Sequence, residues 1–131
     1  MTLFRAGGPV MWPILALSVA GLAILVWKLL EFRAGRHDGR GLVVVSTIIT
    51  AEPMLGILGT VTGIMQTFGA MKGEAVNPLA ATSGIGEALI TTAAGIVAAL
   101  VLLFPYNVLL GLLAKAAARL ERAGERWSAE P

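Results

Sequence analysis

Glu87 lies roughly two and a half helical turns into an apolar run that begins at Pro78, between GIG and ALITTAAGIVAALVLL. A carboxyl in such surroundings is a functional hypothesis by default, because it can alternate between the charged and neutral forms that a proton pathway requires. The plainer reading keeps Glu87 shallow enough to reach headgroups or water, where it only orients its helix. Thr91 follows four residues on and shares that helix face, with Thr92 alongside. Hydroxyls donate and accept, so they suit proton relay or the wetting of a pore, yet Ser and Thr also act as small packing residues between membrane helices. Thr60 and Thr62, with Thr67 further out, repeat the pattern in another apolar stretch. Glu52, just before Pro53, either lines a cavity mouth or faces the membrane interface, and the interface is the expected place, since charges near helix ends are cheap. The chain has no cysteine, and its single His37 stands in a charged stretch. With no Gly-rich phosphate loop, no metal-ligand cluster and no nucleophile paired with a base, it offers no apparatus for enzyme chemistry, a metal centre or a cofactor.

These residues need elements that cross lipid. Of 131 residues, 56% are hydrophobic and 14% charged, against about 25% charged in ordinary soluble domains. Mean hydropathy is +0.82. An all-α membrane protein of one domain follows, because an isolated strand cannot satisfy its backbone groups in lipid. Three stretches approach or exceed the roughly 20 residues that a helix needs to cross a bilayer, about 10–30, 43–71 and 78–113. The first reads as a membrane helix rather than a cleaved signal, since it is followed by EFRAGRHDGR and no small-residue cleavage site. In the second, Glu52 and Pro53 separate the lead-in VVVSTIIT, which has strand propensity, from the strict span; helix is the safer assignment throughout. Asn77 and Pro78 form a cap and first-turn proline for the third. A polar hinge at 31–41 joins the first two spans, and a charged helical tail occupies 114–131.

Lys28, Arg33, Arg36, Arg40, Lys115, Arg119, Arg122 and Arg126 lie on the hinge and tail side, against Arg5 and Lys72 on the other. That asymmetry puts the hinge and C-terminus in the cytoplasm and the N-terminus outside. With net charge only +2, nucleic acid is not a partner to expect; membrane lipid is. Gly56, Gly59 and Gly63 in the second span, and Gly84, Ala88, Ala94, Gly95, Ala98 and Ala99 in the third, allow close helix contact. Three helices offer little protein surface for so many small faces, so oligomers are expected.

The string EPMLGILGTVTGIMQTF resembles the second-helix signature of the MotA/TolQ/ExbB proton channel family, and SGIGEALITTAAGIVAALVLLFPYNVLLG resembles its third-helix signature. The two occur in the family's order over roughly 52–111 and look closer to the ExbB and TolQ branch than to MotA. The resemblance implies a homo-pentameric ring in a bacterial or archaeal inner membrane. The ring would enclose a dimeric single-span partner of the ExbD, TolR or MotB kind, whose transmembrane aspartate carries the proton while the proton motive force drives the motor. It implies that Glu87, Thr92 and Thr60 line the central pore; Thr91 is added from helix spacing. Relatives carry a large cytoplasmic insertion between the first two spans, where this chain has only 31–41, so it looks like a minimal version. A small proton-coupled transporter and a structural membrane scaffold are the alternative readings. The transporter class has four spans with the carboxylate in the first, against three here with it in the third.

Overall fold

The computed structural model describes residues 8–36, 39–70 and 78–129, which form three helices: α1 (Met11–Arg33), α2 (Leu42–Ala70) and α3 (Pro78–Ala129). Each is long and apolar enough to cross a membrane. Asn77, Arg5, His37 and Lys72 lie outside the described residues. Pro78 opens α3, and the lead-in VVVSTIIT is helical, with Pro53 inside α2. Lipid offers the backbone of such a segment no partner except its own helix, and this overrides its strand propensity. The third helix also runs unbroken past Leu113 into the charged tail, which is rich in the good helix formers Ala, Leu, Arg and Glu.

Glycines set the turn between α1 and α2. Gly35, at φ +80°, follows the C-cap Ala34; its N–H donates to Phe32 O at 3.1 Å, and the Arg36 N–H donates to Glu31 O at 3.1 Å. This double closure satisfies carbonyls that the helix end would leave open. Gly41, at φ +92°, then accepts from the Val45 N–H at 3.2 Å and starts α2. Lys28, near the end of α1, pairs with Glu31 at 2.7 Å.

α2 runs antiparallel to α3, and α1 packs across both. The hinge end is held by branched side chains: Leu25, Val45, Ile48, Leu102 and Leu109 form a buried cluster. A Cβ on Gly21 of α1 would stand 2.7 Å from Leu102 Cδ1, so that glycine is the recess into which Leu102 fits. The opposite end is held by small residues instead. A Cβ on Gly56 would lie 3.0 Å from the Thr92 Cα, one on Gly63 would lie 2.9 Å from Ala88 Cβ, and one on Gly95 would lie 3.2 Å from the Gly56 Cα. Gly59 meets the Thr91 side chain and Gly84 that of Thr67. With no hydrophobic force between helices in lipid, this backbone approach is what provides attraction.

Outside the seam the surface is apolar: Leu22 and Val26 of α1, Ile57 and Val61 of α2, and Leu89, Ile96, Leu100 and Phe104 of α3 are exposed. Trp12 and Trp27, 70% and 72% exposed, stand near the two ends of α1. Their spacing of fifteen residues is about 22 Å along the helix and suits aromatic anchors at two interfaces.

Gly95→Leu must therefore unseat α2 from α3, because the atoms it meets are backbone and cannot turn aside. A loss of about 1–3 kcal/mol is expected in unfolding titrations in mixed detergent micelles. Gly111→Ala, where an added Cβ meets nothing within 4 Å, should unfold like the parent.

Candidate functional site

The seam places its hydroxyls in two groups. Thr60 of α2 and Thr92 of α3 are hydrogen-bonded to each other through their Oγ1 atoms. Each also reaches Gly56 O, Thr60 at 3.1 Å and Thr92 at 2.9 Å. Two hydroxyl protons are thus shared among three contacts. At any moment one contact is without its hydrogen, and the pair can exchange which hydroxyl donates to the other. Both side chains are half-buried.

Thr91, 2% exposed, donates to Glu87 O at 3.0 Å and presses its methyl group against Gly59. Glu87 itself is exposed, with its carboxyl beside Gly8, just before α1. Between these elements lies a cavity of about 20 Å³ bordered by Glu87, Thr91, Thr62, Gln66 and Gly59. That is room for about one water molecule, with polar groups to hold it. Glu87 and Thr92 are five residues apart, roughly 140° around α3, so they occupy different flanks of it. The structure joins Thr60 to Thr92 and Glu87 to Thr91. It does not bring the carboxyl onto the Thr60–Thr92 pair.

Glu52 is the correction. Expected at the interface, it is 0% exposed and enclosed among the three helices. The reason is that α2 begins ten residues before it, and α1 crosses directly over it. The Ser18 hydroxyl of α1 lies 2.6 Å from Glu52 Oε1 and 2.8 Å from Ile14 O. Glu52 Oε2 is buried with no hydrogen-bond partner. On α3 the facing residue is Gly95, against the Glu52 backbone. Ser18 is seven residues from Met11 and fifteen from Arg33, about 10 and 22 Å along α1, so the Ser18–Glu52 pair lies well inside the helix bundle. Glu87, level with Gly8, stands at its edge.

Sequence reading passed over Ser18, Gln66 and the burial of Glu52. Two signals were available: Ser18 is the only hydroxyl in α1, and Gln66 follows Thr62 by one helical turn.

The profile of the MotA/TolQ/ExbB proton channel family matches residues 27–122. The biopolymer transport protein ExbB-like 1 of Synechocystis sp. is 47% identical over 77 residues, 56% of this chain and 30% of that protein. The biopolymer transport protein ExbB of Pseudomonas putida is 42% identical over 76 residues, 57% of this chain and 23% of its own length. The Tol-Pal system protein TolQ of Haemophilus influenzae is 41% identical over 64 residues, 48% of this chain and 28% of its own. The match therefore spans less than a third of each of these relatives. No solved structure matches the chain.

Replacing the two paired hydroxyls tests the seam. Thr60→Val and Thr92→Val should each weaken the α2–α3 contact by about 0.6 kcal/mol, and by no more than about 1.7. The double variant should lose less than the sum in a thermodynamic cycle, because either change alone already removes the shared bond.

Proposed function

Because this chain belongs to the MotA/TolQ/ExbB proton channel family, we propose that it is a proton-channel subunit whose copies form a ring, a pentamer by family resemblance, in a bacterial or archaeal inner membrane. The ring uses the proton motive force to drive a dimeric single-span partner of the ExbD, TolR or MotB kind. Its hinge and C-terminus face the cytoplasm, as the excess of Lys and Arg on that side favours.

One observation carries the reading. Glu87 leaves its carboxyl exposed on the flank of an otherwise apolar helix, beside a polar cavity that Thr91 and Thr62 also border. An ionisable group is costly against hydrocarbon, so this flank, near the edge of the bundle, calls for water, a second copy or a partner helix. The exposed apolar residues of α2 and α3 suit the same packing. In this arrangement Glu87 takes and releases protons at the mouth of the path. Thr91 fixes the local helix by its bond to Glu87 O, and Thr60 with Thr92 supplies hydroxyls that can switch donor and acceptor roles. Gly56, Gly59, Gly63, Gly84 and Gly95 hold the two pore helices at the required separation.

Glu87→Gln should reduce partner-dependent proton uptake into vesicles at least tenfold while the complex keeps its mass in native mass spectrometry. Full uptake by this variant would remove Glu87 from the mechanism. A wild-type monomer carrying no single-span protein would overturn the ring and favour the transporter or scaffold.

A further inference from the structure

Glu87 is the only carboxyl that the channel reading uses, yet the carboxyl deepest in the bundle is Glu52. It is fully enclosed and, among the described residues, hydrogen-bonded only to Ser18. Lys28, about 15 Å further along α1 from Ser18, is paired with Glu31 near the hinge. The Ser18 hydroxyl of α1 is bonded to the Glu52 carboxyl, and the Gly95 backbone of α3 lies against the Glu52 backbone; neither is charged.

Counting hydrogens decides its state. Ser18 has one hydroxyl proton and two oxygens within reach, Ile14 O at 2.8 Å and Glu52 Oε1 at 2.6 Å. A helical serine ordinarily donates to the carbonyl four residues back. With the proton placed there, the shorter contact has no hydrogen unless Glu52 supplies one. A protonated carboxyl completes both bonds, whereas an ionised one would put a charge in the apolar centre with at most a single hydroxyl to stabilise it.

We propose that Glu52 is a second proton-binding site of the channel, holding its proton as a neutral carboxyl that donates to Ser18 Oγ, and that transfer through each subunit uses it together with Glu87. This rests on the channel reading above. The two carboxyls bracket the hydroxyls. Glu52 is level with Gly95, eight residues or about 12 Å along α3 from Glu87, and the Thr60–Thr92 pair and Gly56 O lie between them. In each transfer the carboxyl O–H bond breaks and the proton passes to a hydroxyl or water on one side. The carboxylate left behind is then reprotonated from the other. Glu52 Oε2, buried and without a partner, is the oxygen open to that second exchange. A residue that only tied α1 to α2 would have no use for it, since an orphaned acceptor destabilises the fold.

Infrared spectra of the purified chain in dodecyl maltoside, a detergent with no ester or acid carbonyl, at neutral pH test the protonation directly. A protonated-carboxyl C=O band should be present in the wild type, lost in Glu52→Gln, kept in Glu87→Gln, and moved to higher frequency in Ser18→Ala. Its absence from the wild type, its survival in Glu52→Gln or its indifference to Ser18→Ala would each overturn the assignment. Vesicles holding the chain with its co-purified single-span partner and a pH-sensitive dye test the transfer. Glu52→Gln, isosteric and able to donate to Ser18, should assemble and unfold as the wild type does while proton uptake falls at least tenfold. Uptake at the wild-type rate would confine Glu52 to a structural tie. If the wild type itself moves no protons, the channel reading fails and the transfer step with it, while the infrared band still decides whether Glu52 holds a proton.

Discussion

Hydrocarbon gives two apolar helices no reason to prefer each other over lipid, so the bundle depends on how closely backbones can approach where α2 meets α3. The glycines at 56, 63 and 95 make that approach possible, with gaps that even one added Cβ would close. Everything polar follows from it. Thr92 reaches the Gly56 carbonyl because Gly56 has no side chain in the way, and the Glu52 backbone lies against α3 because residue 95 is a glycine. Branched residues at the hinge end add an anchor of a different kind, in which shape fixes the position of α1.

Polar groups in this setting have few partners, and each shortage carries information. Thr60, Thr92 and Gly56 O share too few hydrogens for their contacts, as would Ser18, Ile14 O and Glu52 Oε1 were Glu52 ionised. In water such deficits vanish into solvent; among packed helices they mark places where protons have more than one position available. Both deficits lie on the same side of Glu87, one beyond the other toward the hinge.

The spans were legible because length and apolarity are local properties: 10–30 and 43–71 became Met11–Arg33 and Leu42–Ala70. The third continued as expected into the charged helical tail, since helix propensity runs on through KAAARLERAGERW beyond the apolar run that ends at Leu113. The carboxyls show a deeper limit. Counted from Pro53, Glu52 looks peripheral, and counted from Pro78, Glu87 looks deep. Their depths are set by which residue of α1 lies alongside, Ser18 for one and Gly8 for the other. Register between helices is not written in either helix alone, although the only hydroxyl of α1 was a clue to where a buried carboxyl would find company.

At 52 residues α3 is about 78 Å long, and beyond Leu113, the last of its residues packed on the hinge-end cluster, it continues for about 24 Å as the same helix. Leu120 and Trp127 on that extension are exposed. Pro105 removes one backbone hydrogen bond from α3 between the seam and this extension, so a bend there swings the far end as one arm. A tilt of about 10° at the level of Leu113 displaces the far end by about 4 Å. A small bend within the apolar run therefore shows as a displacement at Trp127, beyond that run.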